Sequence, residues 1–304
     1  MLNPSTQTVA RLAWGVLAYT VLVVLWGAFV RASGAGAGCG DHWPTCNGEV
    51  VPTAPALNTL IEFGHRVTSG LAGIAALVLA VAAWRGLPPG HPGRRAALAA
   101  LAFMILEGAI GAGLVLFEYV AYNPSIARAY WMAAHLTNTF LLLGALTLTA
   151  WWASGHPAPR RLRRPGAGWV AAALVATLVL GAGGAVTALG DTLVLGGGLD
   201  PGTNPVVATL VGARLYHPVM AVATFGIIAL ATLAVGARAE TSRRMGRAVT
   251  LGFAAQLVVG ALNVWLQAPI WMQIVHLLWT DALWIGLVVW ASQALSAPDR
   301  PSLA

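Results

Sequence analysis

Four histidines stand in apolar surroundings where an imidazole is costly: His65 in "EFGHRVTSG", His135 in "AAHLTNTF", His217 in "LYHPVMAV" and His276 in "IVHLLWTD". Neutral imidazole is both a hydrogen-bonding group and a common metal ligand. An ionisable residue inside a membrane-spanning stretch is by default a functional one. One such histidine alone would read as a hydrogen bond to a neighbouring helix; four, two in each half of the chain, read as ligands. His65 also has company. Glu62 lies three residues before it and Arg66 directly after it, so on a helix the carboxylate projects from the same side as the imidazole. No acid holds that place before the other three histidines. Glu62 is therefore a catalytic or charge-stabilising candidate. The competing reading is an i,i+4 ion pair with Arg66, and the two roles are compatible.

The elements that carry these groups are membrane spans. Of 304 residues, 58% are hydrophobic and 9% charged, against roughly a quarter charged in a soluble domain. Apolar stretches of about 20 residues cross a bilayer, and eight occur, at 11–30, 60–84, 96–118, 131–153, 168–189, 212–236, 247–267 and 272–295. The first is too long for a signal-peptide core and reads as a span. The basic residues are all arginine, and they are unevenly placed. With the N-terminus inside, Arg11, Arg85, Arg94, Arg95, Arg160, Arg161, Arg163, Arg164, Arg238, Arg243, Arg244, Arg247 and Arg300 fall on the inner side. Arg31, Arg66, Arg128 and Arg214 fall on the outer. That is the positive-inside bias. It predicts cytoplasmic termini, a multi-pass protein of the cytoplasmic membrane, and a net charge of +7 that reflects topology and no nucleic-acid partner.

The Arg/Pro-rich stretch 155–167 reads as a cytoplasmic linker between two four-helix halves, 1–154 and 168–304. The fold class expected is all-α, with eight transmembrane helices in two pseudo-symmetric bundles. Each odd-numbered span carries a Gly-rich stretch in its outward half: "WGAFV", "EGAIGAG", "GAGGAV" and "VGALNV". Each even-numbered span carries one of the four histidines shortly after it enters from outside. At 1.5 Å per residue the four histidines share a depth near the outer face.

Small residues let backbones approach each other, or a flat ligand, closely. Histidine pairs on facing helices of a four-helix bundle hold cofactors, and bis-histidine ligation of haem iron suits apolar spans. Zinc would require three or four converging ligands, where each half offers two histidines. Arg66, Arg128 and Arg214 are placed to pair with haem propionates or to snorkel to the interface. Glu107, Asp281, Asn138, Thr139, Ser69 and Thr280 read as interhelical hydrogen-bonding groups. His42, His91 and His156 read as loop residues.

Cys39 and Cys46 share one short outer loop, "CGDHWPTC". The alternatives are a disulfide, two separate thiols, or a metal pair with His42; an oxidising exterior and the shared loop favour the bridge.

Taken in order, "CGDHWPTC", "EFGHR", "HLTN", "YHP" and "HLLWTDALW", together with one histidine per even span, resemble the heme A synthase family over nearly the whole chain. The resemblance implies oxidation of a haem O methyl group to the formyl of haem A through successive hydroxylations. It implies haem b (iron) as cofactor between His217 and His276, and haem O as substrate between His65 and His135. It also implies an essential role for Glu62 and a Cys39–Cys46 disulfide. Further partners implied are the lipid bilayer, an electron donor or acceptor and, by pathway order, a haem O synthase; Gly-rich faces would also suit a homo-oligomer. Some family members carry a second cysteine pair in the matching loop of the C-terminal half, and "TALGDTLVLGGGLDPGTNP" has none. The same histidines would also serve a dihaem b-type cytochrome that only moves electrons, or a haem carrier. The lone acid beside one histidine favours the synthase.

Overall fold

The computed structural model describes residues 4–159, 166–236 and 240–296. Arg160, Arg161, Arg163, Arg164, Arg238 and Arg300 lie outside the described residues. Nine α-helices follow in order among them: α1 (Pro4–Ala32), α2 (Leu57–Gly86), α3 (Pro92–Leu116), α4 (Ile126–Ala153), α5 (Ala167–Asp191), α6 (Pro205–Gly212), α7 (Tyr216–Gly236), α8 (Glu240–Trp265) and α9 (Ile270–Ser296). No strand forms among these residues; a lone bridge joins Cys46 and Glu49 in the first loop. Eight helical stretches are long and apolar enough to cross a membrane, the sixth being α6 and α7 joined by a 3-10 turn at Ala213–Leu215.

Helices are the available solution for such a chain, because hydrocarbon offers no partner to a free backbone amide or carbonyl. Hydroxyls inside the spans are satisfied the same way, by bonding back to the preceding turn: Thr20 donates to Val16 O, Thr147 to Leu143 O, Thr149 to Ala145 O and Thr177 to Ala173 O. Helix starts are set by side chains that accept orphan amides. The His91 ring accepts from Gly93 N with Pro92 at the first helical position, Ser125 accepts from Arg128 N, and Asn204 accepts from Val206 N and Val207 N. α5 ends in a π-helical turn at Thr192–Gly196.

In the first half α1 packs on α2 and α4, and α3 packs on α2 and α4; in the second, α5 packs on α7 and α9, and α8 on α7 and α9. The seam between the two sets is made by α4 against α5 and α9, and by α1 against α9. α4 and α9 are accordingly the most buried spans. At the seam the Trp284 indole donates to Phe140 O at 2.6 Å while its ring stacks on Phe140, centroids 5.4 Å apart. Nearer the linker Trp152 donates to Ser292 Oγ at 3.0 Å. Toward the other end the Arg31 guanidinium donates to Ala188 O, Thr192 Oγ1 and Gln273 Oε1 at 2.9, 2.6 and 2.8 Å. Leu22, Ile74, Ile105, Val179, Leu233 and Val264 are exposed, as lipid-facing positions of apolar spans should be.

Candidate functional site

The four histidines sit on α2, α4, α7 and α9, and each ring lies against a glycine of the preceding span. A Cβ added to Gly27 of α1 would stand 2.9 Å from His65 Cε1 and 3.0 Å from its Nε2. At Gly184 of α5 it would stand 3.1 Å from His217 Cε1, and at Gly260 of α8 3.3 Å from His276 Cε1. At Gly111 of α3 the nearest atom, His135 Nε2, is 3.7 Å away. These glycines come one from each of the four Gly-rich stretches. The small residues therefore clear space for imidazoles, and a ring can lie nearly against the neighbouring backbone. His65 and His135 are within electrostatic reach of each other, as are His217 and His276. The structure thus places His65 near His135 and His217 near His276.

Around the Nδ1 atoms the four differ. His135 Nδ1 lies 2.9 Å from Glu107 Oε1 on α3. The Glu107 carboxylate also accepts from the Thr139 hydroxyl, and from Asn138 Nδ2 at 2.6 Å. The interhelical bonding expected of Asn138 and Thr139 is therefore present, with Glu107 at its centre. His276 Nδ1 lies 3.2 Å from Gln256 Nε2 on α8; the same amide donates to His276 O at 2.9 Å and to Thr280 Oγ1 at 2.6 Å. His65 Nδ1 and His217 Nδ1 are buried and have no partner among the described residues. Asp281 departs from expectation: it is buried in α9, and neither carboxylate oxygen finds a hydrogen-bond partner among the described residues, because no donor of the helices packed on it reaches that position.

Glu62 is 4% exposed and doubly committed. Oε2 accepts from the Cys39 amide at 2.9 Å, and Oε1 accepts from Arg66 NH2 at 2.5 Å and Nε at 3.1 Å. The ion-pair reading is thus realised, and the carboxylate additionally anchors the loop between α1 and α2. Cys39 and Cys46 are joined as a disulfide. The loop is drawn onto the start of α2 by the Thr59 hydroxyl, which donates to Gly38 O at 2.7 Å. A Cβ on Gly38 would collide with the backbone of Asn58 and Thr59, so only glycine permits that approach. The charge beside His65 is thereby tied through one side chain to the disulfide loop.

Arg66, Arg128 and Arg214, expected on the outer side, are placed differently from one another. Arg66 is taken up by Glu62 and by the carbonyls of His42 and Thr45, both at 2.6 Å. Arg214 is ion-paired with Asp191. Arg128 is 2% exposed; NH1 donates to Asn123 O at 3.1 Å, and Nε has no partner among the described residues. It lies within electrostatic reach of Arg31. Of the loop histidines, His91 caps α3, His156 stacks on Trp151 at 3.4 Å, and His42 lies 3.2 Å from Asp41.

Sequence reasoning did not place Glu107 and Gln256 among the site residues. One signal was available for both: each lies four residues before the histidine-facing glycine of its own helix, hence on the same face.

A family model described as cytochrome oxidase assembly protein, COX15-CtaA, matches residues 10–288. The chain is 48% identical over 303 residues to a protoheme IX farnesyltransferase of Thermus thermophilus, an alignment that covers 97% of this chain and 50% of that protein. It is 44% identical over 97 residues to the heme A synthase of Alkalihalophilus pseudofirmus, covering 32% of this chain and 33% of that one. To the heme A synthase of Halalkalibacterium halodurans it is 38% identical over 142 residues, covering 47% and 46%. The chain spans about half the length of the relatives that match it from end to end.

Proposed function

The chain belongs to the COX15-CtaA family of cytochrome oxidase assembly proteins, and from that premise we propose that it is a heme A synthase, a membrane oxidoreductase that converts a methyl group of haem O to the formyl of haem A. The observation that carries the reading is the fourfold arrangement of histidine on glycine, paired as His65 with His135 and His217 with His276. His65 with His135, and His217 with His276, would hold a haem iron, for paired imidazoles on the helices of a bundle are a ligand set that suits it. His65 Nδ1 and His217 Nδ1 are orphaned and buried among the described residues; rings presented this way gain from a ligand that fixes them.

In this reading residues 1–154 form the substrate half, with His65 and His135 holding haem O. Residues 168–304 form the cofactor half, with His217 and His276 holding haem b, and 155–167 link them on the cytoplasmic side, where both termini also lie. The two halves are repeats of one four-helix plan. Bound haem supplies the redox chemistry; the chain supplies position and field. His65 and His135 would hold the substrate. Glu62 contributes negative charge near His65, where positive character developing on the reacting carbon is stabilised, and Arg66 together with the Cys39 amide keeps that carboxylate in place. Arg128, buried with few partners, is the outer arginine best placed to receive a propionate. The successive hydroxylations, and the electron partner they need, belong to the same proposal.

The farnesyltransferase name belongs to a protein about twice as long, of which this chain matches half. The heme A synthase relatives and the family model support the oxidation reading over that one. Haems are to be extracted from membranes carrying the full chain, with either haem B alone or haem O supplied, and resolved by chromatography and mass. A haem A peak that needs both the chain and haem O, and that His65→Ala abolishes, supports the proposal. Haem O formed from haem B and farnesyl diphosphate would assign farnesyl transfer instead. Stably bound haem with no product, even with an electron partner supplied, would assign a dihaem cytochrome.

A further inference from the structure

The two histidine pairs share one pattern at Nδ1 and differ there in one side chain. In each half, the first histidine has an Nδ1 unpartnered among the described residues: His65 in one and His217 in the other. The residues four places before the glycines that face them, Val23 and Leu180, are apolar. In each half the second histidine has its Nδ1 met by the residue four places before its facing glycine. That residue is Glu107 for His135, at 2.9 Å, and Gln256 for His276, at 3.2 Å. The positions correspond and the side chains are near-isosteres, but one is a carboxylate and the other an uncharged amide.

What a group on Nδ1 does to a histidine is general. A hydrogen bond there fixes the tautomer, turns Nε2 toward the ligand, and makes the imidazole a stronger donor in proportion to the negative charge behind it. Hydrogen bonding to an axial ligand is one of the levers by which a protein sets the potential of a haem iron. Glu107 is held rigidly for that role, since His135, Thr139 and Asn138 all converge on its two oxygens. Gln256 is held as firmly, by His276 O and Thr280. Its Oε1 is buried without a partner among the described residues. No charge stands behind His276.

We propose that Glu107 is a positioning residue that makes the N-terminal iron site the electron-rich one of the pair, while Gln256 keeps the C-terminal site at higher potential. The inference rests on the haem-binding reading above and deepens it by assigning a direction of electronic difference to the two sites. The carboxylate in the substrate half favours the oxidised iron there; the amide in the cofactor half leaves iron easier to reduce.

The experiment is a spectroelectrochemical titration, with low-temperature EPR, of the purified full chain carrying haem at both sites. Components are assigned by His135→Ala and His276→Ala. Glu107→Gln is expected to raise the potential of the N-terminal component and change its low-spin g-values, leaving the other component in place. Gln256→Glu is expected to lower the C-terminal component and move its g-values toward those of the native N-terminal site. Haem bound at both sites with neither potential moved, or both components moving together in each variant, overturns the inference and leaves the haem reading standing. A native chain that binds no haem overturns both. Should Glu107→Gln release haem from its site, Gln256→Glu alone decides: no downward shift of the C-terminal component sinks the proposal.

Discussion

The backbone amide of Cys39 donates to Glu62 Oε2 at 2.9 Å, so a carboxylate one turn from His65 also holds one end of the disulfide. Two consequences of removing Glu62 must therefore be separated. Glu62→Ala leaves the mostly buried Arg66 guanidinium without its anion and the Cys39 amide without its acceptor, at about 3 kcal/mol or more. Glu62→Gln keeps an acceptor for one of them and removes the charge. Thermal unfolding in detergent should show a larger loss for alanine than for glutamine. Haem extraction should show product lost in both, with haem still bound in the glutamine variant. Unchanged turnover in Glu62→Gln would confine the residue to holding the loop.

The glycines facing the histidines are not equally tolerant. A methyl at Gly27 meets the His65 ring at 2.9 Å, whereas at Gly111 it meets His135 at an ordinary 3.7 Å. Gly27→Ala is expected to displace the imidazole and cut haem occupancy of the N-terminal site several-fold, since overpacking of this kind costs about 1–3 kcal/mol. Gly111→Ala should leave occupancy within error of the native chain. The haem-to-protein ratio of the two purified variants is the readout, and equal ratios would mean the rings have room to move.

His91 gives a pH dependence outside the spans. Its ring accepts the Gly93 amide, and burial together with the Arg94 charge lowers its pKa below the ordinary 6.5. A histidine whose folded-state pKa is depressed contributes stability that is fully present above the unfolded value and is lost as pH falls through the folded one. His91→Ala, which removes a cap worth about 1 kcal/mol, should therefore lower melting temperature at neutral pH, and the gap to the native chain should close in acid. A gap that stays constant from about pH 7 to about pH 5 would show that the ring titrates without touching the cap.

Much of this architecture was legible in the residues because hydrocarbon imposes so few solutions. Eight apolar runs became eight spans, and the ends moved outward where a cap was available: 96–118 begins at Pro92 because His91 caps it, and 131–153 begins at Ile126 because Ser125 does. The sixth span was harder. Asn204 and Pro205 start a helix that tightens at Ala213–Leu215 and resumes at Tyr216, which composition alone does not register. Equal depth, and two histidines per half, were read from the single histidine on each even-numbered span. Glu107 and Gln256 did not stand out as site residues, since facing His135 and His276 depends on how α3 is rotated against α4 and α8 against α9. The many commitments of Glu62 were half visible: the i,i+4 partner Arg66 is local, while the Cys39 amide is brought by a loop whose path depends on Gly38.

Arg31 ends α1 with its hydrogen bonds spent on α5 and α9, and Trp284 of α9 donates to α4. The seam is therefore fastened near one end by a guanidinium and within the apolar layer by an indole, neither of which depends on the peptide between Ala153 and Ala167. Severing that connector, or encoding the two halves on separate messages, should give fragments that find each other in the bilayer and co-purify. The contact between the two sets of helices would then hold the molecule together without the peptide that joins them.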